Sequence, residues 1–241
     1  MTLRKAHVKS SLKKILMIGF LSSGLSAFSQ GKTIPNIGNW TMFFGQVRFH
    51  DKWSIHAEVQ NRDFGIISEP EQILLRSGIN YHLSKNAIVT AGYGLITNYA
   101  FDEETFQSPS VSENRGWQQI LLRNNLGRCF FEHRYRLEQR WIESKDNKRY
   151  LDRIRYLMRV SVPLNSKIIE KNTIFLSFYD EAFIHLSSTP FDRNRLYGAF
   201  AWQIAPNANI QLGYLAQTVN NNTKSYLQTA VNYTLDLRKN E

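Results

Sequence analysis

Polar and apolar residues alternate with a period of two along most of this chain. Trp53, Ile55, Ala57 and Val59 interleave with Ser54, His56, Glu58 and Gln60. Ile73, Leu75, Ile79 and Tyr81 share one parity, and Arg76, Gly78, Asn80 and His82 the other. Near the end, Leu227, Thr229, Val231 and Tyr233 oppose Gln228, Ala230 and Asn232. Successive side chains on a strand point to opposite faces, so each segment predicts a strand with one greasy face and one wet face. Segments with this pattern start near residues 40, 53, 72, 87, 115, 129, 149, 173, 193, 209 and 225.

Alternation does not say which face meets solvent. A soluble sandwich hides its apolar face, whereas a membrane barrel presents it to lipid. Three features favour the barrel. The segments are of roughly the length that a tilted strand needs to cross a bilayer. Tight links at His50–Lys52, Ser84–Asn86, Asn124–Gly127 and Ala205–Asn207 alternate with longer ones at Asp63–Glu71, Thr97–Asn114, Glu143–Lys148 and His185–Asp192. Trp40, Trp53, Tyr81, Trp117, Trp141, Tyr150 and Trp202 fall near strand ends, the depth that interfacial aromatics prefer. The fold expected is all-β, a closed up-and-down antiparallel transmembrane barrel. Single-chain bacterial barrels use even strand numbers, so twelve strands are expected, with ten as the alternative. The missing strand would come from 32–37 or from a link.

The first residues read as an address. Arg4, Lys5, Lys9, Lys13 and Lys14 precede a short apolar stretch from Ile15 to Phe28, and Ala27-Phe28-Ser29 offers small residues for cleavage. Residues 1–29 are expected to be a cleaved secretory signal, leaving 30–241 as one barrel domain in the outer membrane of a Gram-negative cell. Removing the signal lowers the net charge from +10 to +5, which weakens any inference from basicity to nucleic acid. One cysteine, Cys129, excludes an internal disulfide framework.

Charge concentrates on two segments. In 132–141, Glu132, Arg134, Arg136, Glu138 and Arg140 occupy every even position. In 149–162, Arg149, Arg153, Arg155 and Arg159 share a face. If Ile142 faces Arg149 in a hairpin, Glu138 faces Arg153, Arg136 faces Arg155 and Glu132 faces Arg159. Parity adds Arg62, Arg76, Glu181, Arg193 and Arg195 to this inward set. Arg115 and Arg123 are less clear-cut, because Trp117 and Leu121 share their face. The excess of arginine predicts a lumen that attracts small anionic solutes, as a small anion-preferring pore would. The same residues could instead form a ladder that plugs a structural or interaction barrel.

Catalytic chemistry is sparse. A lipid hydrolase at the membrane face would need a serine, a histidine and an orienting group. His133 lies among outward residues and His185 begins a loop, but neither stands beside a nucleophile motif. No enzyme activity, metal or cofactor is expected, and outer-membrane lipid is the expected partner, with no nucleic acid. A soluble β-sandwich and a nucleic-acid-binding β-protein are the remaining alternatives. The loop Thr97–Asn114, with Asp102-Glu103-Glu104 and Ser108-Pro109-Ser110, is a candidate partner-binding segment.

The ordered pieces Gly38-x-Trp40, Arg76-x-Gly78-x-x-Tyr81, Gly92-Tyr93, Glu113-x-Arg115-x-x-Gln118-Gln119, Glu132-x-Arg134-x-Arg136-x-Glu138-x-Arg140, Arg153-x-Arg155, Pro163-Leu164, Glu181-x-Phe183, Asn194-Arg195 and Gly213-Tyr214 run through the chain. In these the sequence resembles the uncharacterised outer-membrane barrel family known as domain of unknown function 2490. The resemblance implies architecture and location, and no activity. One departure is the C-terminus, Leu237-Arg238-Lys239-Asn240-Glu241, where many outer-membrane barrels end on an aromatic residue.

Overall fold

The computed structural model describes residues 32–66, 70–99, 109–186 and 190–238. The expected signal segment, with its cleavage near Ser29, lies outside the described residues, as does the acidic run of the Thr97–Asn114 loop. Among the described residues there are eleven strands and no helix. They are β1 (Lys32–Arg48), β2 (Trp53–Asp63), β3 (Pro70–Ser84), β4 (Ala87–Tyr99), β5 (Pro109–Leu126) and β6 (Cys129–Ser144). Then come β7 (Asn147–Pro163), β8 (Ile174–His185), β9 (Phe191–Ala205), β10 (Ala208–Val219) and β11 (Asn222–Asp236). Each pairs antiparallel with its neighbour in sequence, and β1 pairs with β11 to close the barrel.

The closed all-β barrel matches the sequence pattern, but the count is eleven, neither twelve nor ten. An odd number makes the first and last strands run the same way, so the seam must be parallel. It is: Gly38 faces Tyr226, Thr41 faces Thr229 and Arg48 faces Asp236. Residues 32–37, expected as a separate strand, extend β1 instead. The tail then locks the seam. Leu237 N–H donates to the Arg48 carbonyl at 2.7 Å, and Arg238 Nη1 donates to Asp51 at 2.7 Å. The Arg238 guanidinium holds the Asp51 carboxyl below its usual range.

Link lengths follow the expected rhythm only in part. Glu143–Lys148, expected to be long, is a tight hairpin with Lys145 and Asp146 between the strands. At the same end, β10 turns into β11 through Asn220 and Asn221, both with positive φ, the geometry of a tight hairpin turn that asparagine tolerates. The opposite end carries a longer link, 164–173, pinned where Arg128 Nη2 donates to the carbonyls of Pro163 (2.9 Å) and Ser166 (2.8 Å). For brevity, the end at 50–52 and 84–87 is the turn end, and the other is the loop end.

Polarity is inverted relative to a water-soluble core. Val59, Leu75, Tyr93, Leu95, Phe178, Phe200 and Leu212 are exposed on the outer wall, while Glu58, Arg76, Arg136, Glu138, Arg153, Arg155 and Glu181 are buried within. Outward aromatics pair across strands, Trp53 with Tyr81 at 4.8 Å and Trp141 with Tyr150 at 5.5 Å between centroids. Two aromatics expected at the rim are inside instead: Trp40 is 1% exposed and Trp117 0%. Their parity is that of the charged residues, and parity outranks closeness to a strand end. Room for Trp117 comes from Gly78 and Gly92, which stand beside it in register. A Cβ on Gly92 would lie 2.2 Å from the Ser77 carbonyl oxygen and 2.6 Å from the indole, so only glycine fits.

The parallel seam makes a sharp prediction. In a Cys129→Ser background, Thr41→Cys with Thr229→Cys should cross-link on mild oxidation, giving a faster-migrating unreduced band. A further strand between β1 and β11 would separate the pair by about 10 Å, beyond disulfide reach, and no cross-link would form.

Candidate functional site

The interior is built from alternate residues of every strand. The β6–β7 register is the one expected from the charge pattern, with Glu138 facing Arg153, Arg136 facing Arg155 and Glu132 facing Arg159. β8 and β9 continue the row, with Leu157 facing Glu181 and Glu181 facing Arg195. On the other side, Glu58 faces Arg76, Gly94 faces Arg115, and Arg115 faces Arg140. Long guanidinium arms from neighbouring strands therefore converge on few carboxylates.

Glu138 is the hub, with no exposed surface. Its Oε2 accepts from Arg153 Nη2 at 2.6 Å and its Oε1 from Arg155 Nη1 at 2.7 Å. Arg115, Arg76 and Arg136 approach within 3.5, 3.6 and 3.9 Å. Glu181 accepts from Arg155 at 2.6 Å and Arg134 at 2.7 Å, with Arg195 at 3.7 Å. Glu113 holds Arg115 at 2.7 Å and Arg140 at 2.8 Å. Glu58 takes Arg76 at 3.1 Å and also accepts from Gln60. Asp192 binds Arg153 at 2.6 Å and Arg193 at 3.1 Å. Toward the turn end, the partly exposed Glu132 meets Arg123 at 3.1 Å and Arg159 at 3.4 Å.

Aromatic rings take up part of the remaining charge. Arg62 lies 4.0 Å and Arg195 4.7 Å from the Trp40 ring centroid. Arg155 and Arg195 lie 4.4 and 4.7 Å from that of Phe183, and Arg136 4.8 Å from that of Trp117. Such stacking is worth about 2 kcal/mol when desolvated. An inner apolar cluster of Trp40, Met42, Leu157, Tyr179, Tyr197, Leu215 and Tyr226 fills part of the interior.

Among the described residues, two cavities open into the interior. The one nearer the loop end has a volume of about 290 Å³. All eleven arginines expected to face inward line it: Arg62, Arg76, Arg134, Arg136, Arg140, Arg149, Arg153, Arg155, Arg159, Arg193 and Arg195. Arg115 joins them. Of the expected carboxylates, Glu181 lines this cavity, Glu138 lies hidden beneath the arginines, and Glu132 lines the second cavity. Arg149 is exposed, at the rim. The second cavity, about 600 Å³, lies at the turn end with Ile169 of the 164–173 link in its wall. The two share only Phe44, Arg159, Gln211 and Asn232.

Three carboxylates did not figure in the expected inward set. Glu58 and Glu113 share parity with Arg62 and Arg115, so alternation alone could have found them. Asp192 could not have been found that way: β8 and β9 slip register between Phe183 and Ile184, which lets Asp192 and Arg193 both serve the interior. Among the histidines, His133 faces outward and hydrogen-bonds the Tyr156 hydroxyl at 2.9 Å, and His185 lies 3.7 Å from Asp192.

A family model described as "Protein of unknown function (DUF2490)" matches residues 37–228, which is β1 to β11. An "Uncharacterized protein" of Methylorubrum extorquens is 25% identical over 169 residues, covering 67% of this chain and 70% of the relative. No solved structure matches the chain.

The hub makes Glu138 the most sensitive carboxylate. Glu138→Gln should lower the unfolding free energy by about 3–5 kcal/mol, since it strands several buried guanidiniums. Glu132→Gln, at a partly exposed pair, should cost under about 1 kcal/mol. Urea midpoints of the folded protein in detergent, read by tryptophan fluorescence, check the contrast.

Proposed function

The chain belongs to the family described as protein of unknown function (DUF2490), and we propose that it is an outer-membrane β-barrel whose lumen is closed to bulk solutes by its own arginine–carboxylate lattice. The inverted polarity of the wall carries this reading. Water-soluble monomers rarely leave more than a few hundred Å² of contiguous apolar surface uncovered, and here apolar side chains ring the barrel on strand after strand. A bilayer is the solvent that suits such a surface. Strands of 11 to 18 residues are long enough to cross it. The basic, briefly apolar start of the chain supports export with cleavage near Ser29, and a Gram-negative envelope is where export and spanning barrels meet.

Closure follows from filling. Glu138 and Trp117 have no exposed surface, and the two cavities touch only at Phe44, Arg159, Gln211 and Asn232. This reading assigns no enzymatic role; the outward imidazole of His133 hydrogen-bonds the Tyr156 hydroxyl at 2.9 Å. The second reading, a small anion-preferring pore, draws on the excess of arginine over carboxylate in the loop-end cavity.

Two measurements separate these. The protein should fractionate with outer membranes and migrate differently on gels with and without boiling; identical migration in a soluble fraction would reject the barrel in lipid. In planar bilayers in 1 M KCl the protein should show no stepwise current. Phe44→Ala with Arg159→Ala should open small steps. Steps from the unaltered protein, with anion preference reversed by Arg136→Glu and Arg155→Glu, would establish the pore instead.

A further inference from the structure

The counter-charge inside the barrel is unevenly spent. Glu138 and Glu181 are each shared by several arginines, while Arg62 meets no carboxylate within ion-pair distance among the described residues. Arg62 Nη2 and Nε donate only to the amide oxygen of Gln60, at 2.6 and 3.2 Å. The nearby Glu71 is already held by Lys224 at 3.0 Å and the Tyr226 hydroxyl at 3.1 Å. Arg195 has Glu181 only at 3.7 Å and donates instead to Gln217 at 2.8 Å. Both guanidiniums stack on the one Trp40 ring, and both are over nine-tenths buried. The Nε atoms of Arg76 and Arg134, shut off from solvent, find no acceptor. All four line the loop-end cavity, and the exposed Arg149 stands at its rim.

Buried guanidiniums with too few carboxylates, and with Nε donors left over, form a site short of an anion. We propose that this cavity binds a compact phosphate monoester, with the phosphate between Arg62 and Arg195. A carboxylate brings one charge and two oxygens. A phosphate monoester brings nearly two charges and three strong acceptor oxygens at one point, which matches converging guanidinium forks better. About 290 Å³ is at the small end for ligand pockets, so the body carrying the phosphate is small, and the amides of Gln72, Gln211 and Gln228 in the wall suit hydroxyl groups on it. The phosphate could arrive on a free solute through the loop end or on a lipid headgroup. The proposal rests on the barrel reading only in needing the folded barrel.

The test uses the full mature chain folded in a neutral detergent, its barrel verified by heat-modifiable migration. Glycerol 3-phosphate is titrated by calorimetry and by the fluorescence of the tryptophans, with micelles of dihexanoyl phosphatidic acid as the lipid arm. Saturable one-to-one binding is expected. It should weaken at least tenfold in 0.5 M salt and at least tenfold in Arg62→Gln with Arg195→Gln, but not in Arg123→Gln, whose charge lies at the turn end. Binding of phosphatidic acid alone, lost in the same double variant, would keep the site and make a headgroup its ligand. No saturable binding in either arm by a heat-modifiable barrel overturns the proposal and leaves the barrel reading standing. So does undiminished binding by a double variant that still migrates as a barrel. A chain that never shows heat-modifiable migration overturns both.

Discussion

Guanidinium groups cannot be buried without oxygen acceptors, and in this protein that constraint decides which face of each strand points where. An isolated ion moved from water into a medium of low dielectric costs several kcal/mol even after relaxation. The arginines of β2, β3, β5–β7 and β9 therefore have to share one enclosed space with Glu58, Glu113, Glu138, Glu181 and Asp192. Once the charges turn inward, strand geometry turns every alternate residue outward, and those residues are valine, leucine, isoleucine, phenylalanine and tyrosine. The greasy exterior follows from the pairing inside. A slip of one residue in any hairpin would send guanidiniums to the outer wall and aliphatic groups into the lattice, so the network also fixes register.

Closure adds a second constraint. With eleven strands the first and last run in the same direction, and a parallel seam has slanted, slightly weaker hydrogen bonds. The seam has help from both faces. Inside, Trp40 packs on Tyr226 at 4.7 Å between centroids, with the Arg62 and Arg195 guanidiniums over the Trp40 indole. At the turn end the tail past β11 reaches Arg48 and Asp51. The same indole thus anchors the seam and carries Arg62, which meets no carboxylate within ion-pair distance among the described residues, and Arg195, whose nearest is 3.7 Å away.

Much of this was legible in the alternation. Strand positions and the shared face of the charged residues follow from parity, because a hairpin that keeps its apolar faces together also keeps its charges together; the Glu138–Arg153 register needs in addition the pairing of Ile142 with Arg149, which the structure has. What failed did so for identifiable reasons. Even strand number is a regularity of other barrels and not a law of sheet closure, so the eleven readable segments are the whole barrel and need no twelfth. The preference of tryptophan for interfaces points Trp40 and Trp117 to the rim, but their parity points inward, and parity decides. Asp192 was invisible because a register slip changes parity partway along a hairpin, and nothing in the residues between 185 and 191 announces it.

Arginine in this interior is filler as well as charge. A barrel of eight strands can be packed by ordinary side chains, and one of sixteen leaves a channel. Eleven strands enclose a width between these, which aliphatic side chains from one wall cannot span. A guanidinium on a long, partly apolar stem reaches across, stacks on Trp117, Phe183 or Trp40, and ends on a carboxylate from another strand. The glycines at 78 and 92 serve the same fit by making room for the Trp117 indole. Filling a wide lumen this way uses more guanidiniums than the strands supply carboxylates to match. The surplus collects in the loop-end cavity, so the architecture that closes the barrel also creates its most strongly anion-seeking space.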